Sequence, residues 1–320
     1  MTYKMLDGRA GGCWLVFFLA VFLSSCSFGD EPGVCPYNTR LEYWYAGSSM
    51  ENVLPVYVDN LRQFLFDSKG KLLATETLRK DSVDGWSGNL PPGHYTMVLW
   101  GNLGDETKST VEVDTGSESA LSEMSITAVT EGVPPGFRGN TGRLYYGIVS
   151  FEVEDGVTFH QRVYLSHAHA VLSVTVMWMA DAPPEGGTYK MRLKGIPAVY
   201  GFTGQWENST PAGDGIYTIP RIQGTITYHE TRAAMNFDRE VTGEFVTFRY
   251  TSGTHQLWSL WRDDKQIIRD LDLNLYFSKL PMDMDVNMEQ EFDILVTVYE
   301  DRIVVTQAKA ADWDEGGILG

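Results

Sequence analysis

Apolar residues in this chain return at every second position, and that period limits what the chain can fold into. Phe292, Ile294, Val296 and Val298 share one side of an extended segment, Val111 and Val113 alternate with Glu112 and Asp114, and Leu271, Leu273, Leu275 and Phe277 alternate with Asp272 and Asn274. Successive side chains of a strand point to opposite faces, so this pattern makes half-buried β-strands. No long stripe at 3.6-residue spacing offers an amphipathic helix; the two helix-tolerant windows, 121–129 and 255–262, are short. Turn residues such as Asp67-Ser68-Lys69-Gly70 and Pro91-Pro92-Gly93 separate the apolar runs, as in antiparallel sandwiches.

Strands are expected at 40–46, 53–66, 71–78, 94–100, 109–114 and 144–153, enough for one sandwich. A long strand over 163–178 opens a second set at 188–194, 216–219, 223–228, 244–250, 270–277, 292–299 and 303–307. The reading is all-β: two tandem antiparallel β-sandwiches, an N-terminal one over 37–160 and a C-terminal one over 161–320. No Pro-rich linker divides them, so they are expected to share an interface. An aromatic content of 12% with only 21% charged residues fits an ordered β-rich globule, not a disordered stalk.

The N-terminus reads as a signal. Lys4 and Arg9 precede an unbroken apolar run of eleven residues, 13–23, closed by Leu23-Ser24-Ser25-Cys26. A membrane-spanning helix takes roughly 20 residues, so the run is too short to span, and a small-residue cleavage site follows it. Residues 1–25 are therefore expected to be removed as a lipoprotein signal peptide, with Cys26 acylated and 26–36 a flexible, acidic tether. Removing 1–25 takes away Lys4, Arg9 and Asp7 and leaves 23 basic against 41 acidic residues, a net charge of −18. Such a chain repels nucleic acid. Only Cys35 then remains, free or paired with another chain, and no intramolecular disulfide is possible.

Sequence signals for chemistry are weak. His167 and His169 are two apart, as a strand-borne metal pair would be, but no carboxylate or cysteine stands at ligand spacing in the sequence. They are expected on a mixed face with Ser173 and Thr175, solvated or between domains, with no metal. Residues 283–289 mimic the start of a calcium loop, yet positions six and twelve are Met288 and Ile294 where Gly and Glu are required. Nucleophile elbow, zinc-protease and phosphate-loop motifs are missing, so neither catalytic residues nor a cofactor is expected. Trp206, Trp258 and Trp261 stand among Gly, Asn, Ser and charged residues. They support a second reading, in which exposed aromatic platforms stack on a glycan; a core role for each competes with it.

The order of several motifs resembles the FimB-type fimbrial anchor subunits, lipoproteins of the Bacteroidales type V pilus. The resemblance is carried by the lipobox, Cys35-Pro36, Phe64-Leu65-Phe66-Asp67 into Lys69-Gly70, Leu90-Pro91-Pro92-Gly93-His94-Tyr95 into Leu99-Trp100-Gly101-Asn102, Leu144-Tyr145-Tyr146-Gly147 and Val163-Tyr164-Leu165. It implies two transthyretin-like sandwiches, a lipid-anchored place on the outer membrane at the cell surface, and assembly with stalk subunits by donated β-strands. In the resembling pilins an arginine-specific protease removes the first strand, and a neighbour's C-terminal segment fills the groove. An anchor need not be cut. Its donor segment would be 303–320, with Ile303, Val304, Val305, Thr306 and Trp313 as the apolar and β-branched contacts; the alternative is that 303–307 closes its own sandwich. In a stalk or tip subunit, Arg40 and Arg62 would be the processing sites.

Overall fold

A computed structural model describes residues 37–47, 50–104, 110–131, 136–179, 189–204, 217–219, 239–263, 265–287 and 289–307. The signal, the tether with Cys26 and Cys35, Trp206, the expected strand 223–228 and Trp313 lie outside the described residues. Within them the regular secondary structure is almost wholly strand. The first half carries β1 (Thr39–Trp44), a helical turn α1 (Leu54–Tyr57), β2 (Asn60–Asp67), β3 (Leu72–Arg79), β4 (Gly85–Gly88), β5 (Gly93–Gly101), β6 (Val111–Asp114) and β7 (Ser125–Ala128). Two short strands, β8 (Thr130–Glu131) and β9 (Gly136–Phe137), precede β10 (Tyr145–Val153), β11 (Phe159–Tyr164) and β12 (Ser166–His167). The second half carries β13 (His169–Trp178), β14 (Tyr189–Lys194), β15 (Val199–Gly201), β16 (Tyr217–Ile219), β17 (Arg239–Phe248), β18 (Leu257–Arg262) and β19 (Lys265–Asp272). It closes with the helical turn α2 (Asn274–Phe277), β20 (Glu291–Val298) and β21 (Ile303–Gln307).

In the first sandwich, a five-stranded sheet in the order β12-β10-β5-β2-β3 faces a three-stranded sheet, β11-β1-β4. Leu41 and Tyr43 of β1, Leu61 and Leu65 of β2, Met97 and Leu99 of β5, and Val149 and Phe151 of β10 fill the space between them. The second pairs β17-β13-β20-β21 with β16-β14-β18-β19 around Leu172, Val174, Leu193, Trp258, Ile294 and Val296. Pairing is antiparallel except for β1 with β11 and β13 with β20, which run parallel. A small sheet, β15-β7-β6, joins a strand from the second half to two from the first. The Asp67–Gly70 turn between β2 and β3 forms as its residues suggest: Gly70 takes φ +75°, and the Asp67 carboxylate accepts the Lys69 and Lys71 N–H groups at 2.8 and 2.9 Å.

Several expectations are corrected. The segment 53–66 is not one strand: Pro55 sits in the first turn of α1, where its fixed φ suits a helix, and β2 starts only at Asn60. The run 163–178 breaks into the end of β11, β12 and β13, because here the chain passes from the first sandwich's sheets to the second's. The alternation of Leu271 to Phe277 also fails. The Asp272 carboxylate accepts the Asn274 N–H at 2.9 Å, α2 follows, and Leu275 turns outward at 68% exposure while Leu273 and Phe277 stay buried. Both helix-tolerant windows carry strands, β7 in the second half of the first and β18 over most of the second.

Candidate functional site

The segment expected to donate a strand is β21. It pairs antiparallel with β20, from Val298 opposite Ile303 to Ile294 opposite Gln307, and Tyr299 N–H bonds to the Arg302 carbonyl at 2.9 Å to close the turn. β21 is the edge of its sheet, so its outer N–H and C=O groups face away from β20. Ile303 is 41% exposed, Val304 and Val305 are half-buried and Thr306 is exposed, whereas Phe292, Ile294 and Val296 of β20 are buried. Little apolar surface holds β21 down. Beside it, in the same sheet, β20 carries a row of buried side chains, and Val305 packs against the same core.

The two arginines lie within strands. Arg40 is in β1, which is bonded on one side to β11 and on the other to β4. Arg62 is in β2, bonded to both β3 and β5, with its guanidinium 5.5 Å from the Phe64 ring centre. A cut after Arg62 would detach Leu41, Tyr43 and Tyr45, all buried in the first core.

His167 and His169 are both buried, so of their two expected places, solvated or between domains, the structure has the second. They sit where the two sandwiches meet. Their rings stack with centres 4.2 Å apart, and Tyr145 lies edge-on to both at 5.3 and 5.4 Å. His167 Nε2 is 2.7 Å from the Tyr45 hydroxyl, which donates to Glu289 at 3.2 Å; His169 Nδ1 donates to the Leu144 carbonyl at 2.7 Å. Burial, reinforced by the charges of Arg143 and Arg249, holds the His167 imidazole down to about 3 and that of His169 to about 4, so both are uncharged at neutral pH. Parallel pairing of β13 with β20 sets Glu291 opposite Val171, and this brings its carboxylate to the histidines. Sequence spacing gave no sign of Glu291, because the pairing is long-range.

Around this joint the backbone is clamped by buried polar side chains. Arg249 donates to the carbonyls of Met284 and Asn287 at 3.0 and 2.7 Å. Gln290 exchanges two hydrogen bonds with the Tyr250 backbone, at 2.6 and 2.8 Å, and a third with the Met284 carbonyl. The calcium-like loop is part of the same clamp. Asp283 accepts its own loop's Asp285 N–H, and Asp285 accepts both the N–H and the hydroxyl of Ser252 at 2.9 and 2.6 Å. Its oxygens serve turns. Neither described tryptophan of the glycan reading is a free platform: Trp258 is completely buried in β18, and the half-buried Trp261 ring carries the Arg192 guanidinium 3.8 Å above it.

The described strands thus form two β-sandwiches, with β21 at one edge of the second. The family model of the fimbrillin-A associated anchor proteins Mfa1 and Mfa2 matches residues 31–315, and the chain belongs to that family. The fold is similar to that of the fimbrial anchor protein Mfa2 from Porphyromonas gingivalis, with a TM-score of 0.57 at 18% identity over 85% of this chain and 96% of that one. A candidate adhesin from Bacteroides thetaiotaomicron gives 0.68 at 17% identity, covering 85% and 96%. A candidate polysaccharide-binding protein from the same species gives 0.62 at 12%, covering 85% and 98%. At these identities the structures testify to the fold alone. A search of curated protein sequences finds no match. Family membership makes the chain a fimbrial subunit that associates with other subunits at the cell surface.

Proposed function

We propose that this protein is the base anchor of a strand-exchanged fimbrium. Cys26, acylated after removal of 1–25, holds it on the outer membrane; the tether 26–36 gives it reach; and the segment from Ile303 onward is offered to the first stalk subunit. Its two transthyretin-like sandwiches, dividing near 160, act as a rigid spacer between lipid and fibre, and the work is mechanical, not catalytic. The observation that carries the reading is β21, an edge strand bonded along one side only, whose side chains are exposed or half-buried beside the buried row of β20. Main-chain hydrogen bonds, each net about 0.5–1.5 kcal/mol, together with side chains seated in a neighbour's groove, make such a joint long-lived. Arg40 and Arg62 support an uncut anchor, since proteases act on exposed, extended loops and both residues are built into sheet ladders.

Deleting 303–320 tests this directly. The truncated protein is expected to reach the membrane and retain its lipid but to release all fimbrial subunits on detergent extraction. Co-purification of those subunits at the wild-type level would refute donation from this segment. Intact mass of the extracted protein distinguishes anchor from stalk: an acylated Cys26 with everything downstream retained supports the anchor, and a chain starting after Arg40 or Arg62 refutes it.

A further inference from the structure

We propose that His167, His169 and Glu291 hold a divalent transition-metal ion, of the zinc class, that clasps the two sandwiches together. One ligand atom from each lies within 4.8 Å of the other two, the one such group of His, Cys, Asp and Glu among the described residues. The hydrogen bonds around the rings assign their tautomers. A carbonyl oxygen can only accept, so the 2.7 Å contact to Leu144 places the proton of His169 on Nδ1 and leaves a lone pair on Nε2. That Nε2 is buried without any hydrogen-bond partner. An orphaned buried acceptor is costly, and a bound cation offsets that cost. His167 follows the same logic. Tyr45 gives its proton to Glu289, so His167 Nε2–H donates to the Tyr45 oxygen and Nδ1 keeps a lone pair, met only by the long 3.4 Å approach of the Gln290 N–H.

Metal-bound imidazoles characteristically donate their other N–H to a carbonyl or a similar acceptor, which fixes the ring and its tautomer. Here both supports are already in place. An imidazole lone pair lies in the plane of its ring, so the stacked rings, 24° from parallel, must turn to bring both lone pairs onto one ion, and Glu291 must leave Arg143, with which it now pairs at 2.8 Å on the exposed side. Two imidazoles and a carboxylate suit zinc and its neighbours, whereas calcium and magnesium take oxygen ligands. The placement also gives the ion a purpose. β12, which carries His167, pairs with β10 of the first sandwich, while β13 and β20, which carry His169 and Glu291, are central strands of the second.

The test is calorimetric titration of EDTA-dialysed, detergent-extracted protein with zinc chloride, in a Cys35→Ser background so that the tether thiol does not compete. One ion per chain is expected, with a higher thermal midpoint for the zinc-loaded protein. Glu291→Gln, on the exposed side and without risk to the core, is expected to weaken binding at least 10-fold, and Arg143→Gln to strengthen it by freeing the carboxylate. His169→Gln should abolish binding, but the proposal does not depend on that variant folding. No stoichiometric uptake, or uptake unchanged by Glu291→Gln, overturns the site. So does binding that falls instead with His94→Gln or His160→Gln, since those histidines pair with Glu152 and Glu42 on the surface.

Discussion

The two hydrophobic cores of this protein are built differently. The core between β1 and the five-stranded sheet draws only on the first half of the chain, from Leu41 to Leu165. The other runs from Phe64 to Val296 and takes side chains from both halves. The five-stranded sheet is the reason. Along β5, Met97 and Leu99 point into the first core while Val98 and Trp100 point into the second; along β2, Leu61 and Leu65 oppose Phe64 and Phe66 in the same way. Trp100 meets Tyr200 edge-on at 4.9 Å, Phe64 meets Phe202 at 4.8 Å, and the Tyr146 hydroxyl donates to the Phe202 carbonyl at 2.7 Å. The second sandwich therefore cannot complete its core without the first, whereas the first closes on its own residues. A fimbrial subunit that must carry tension gains from such a joint, because pulling the halves apart exposes aromatic surface at once.

The sharpest attack on this comparison is Trp100→Ala. A fully buried tryptophan truncated to alanine costs about 3–5 kcal/mol, and because Trp100 belongs to the shared core, unfolding of both halves should shift downward in a calorimetric scan. Met97→Ala, one residue class lighter and facing the first core, is expected to lower the first half more than the second. Equal effects of both variants on each half would dissolve the distinction between a private and a shared core.

A second substitution acts on one half alone. Gly195 has φ +71°, and a Cβ there would stand 2.0 Å from the His255 carbonyl oxygen, a backbone atom that cannot swing aside. Gly195→Ala should destabilise the second sandwich by about 2–3 kcal/mol while amide exchange in β1, β2 and β5 stays near wild type. Protection lost equally in β1 would mean that the first core depends on the second after all. Gln290→Leu is expected to follow at about 2 kcal/mol, read as a lower urea midpoint, because it strips the Tyr250 N–H and C=O and the Met284 carbonyl of buried partners.

How far the sequence revealed this architecture follows from the same contrast. β6 and β20 were legible because they alternate: in β6, Val111 and Val113 turn to the core against exposed Glu112 and Asp114, and in β20, Phe292, Ile294 and Val296 are buried against a half-buried Asp293. β18 was not, since Trp258, Ser259 and Leu260 are buried in succession, and a strand buried on both faces loses the period that marks it. Leu271 to Phe277 misled for the opposite reason: the alternation is present, but Asp272 starts a turn that sequence period alone cannot register. Of the candidate site, the edge strand and the histidine pair were visible locally. Glu291, Tyr45 and Leu144 were not, because parallel pairing and the meeting of two sheets bring them there from distant parts of the chain.

The smallest expected effect bears on the clamp around that meeting point. Hydrogen bonds from the Ser252 hydroxyl and N–H hold the Asp285 carboxyl below the usual carboxylate range, with Arg249 adding a favourable charge. A carboxyl lowered on folding lends stability that is present above its unfolded value, near 3.9, and is lost as pH falls through the folded one. Ser252→Ala removes the hydroxyl donor and leaves the N–H. Because Asp285 is largely solvated, the loss at pH 7 should stay below about 1 kcal/mol. In paired acid titrations of stability, the gap between wild type and variant should shrink below pH 4 and vanish once Asp285 is protonated in both. A gap of constant size down to pH 2 would assign the effect to the hydroxyl's packing and not to the charge it stabilises, and the clamp would then owe its strength to Arg249 and Gln290 alone.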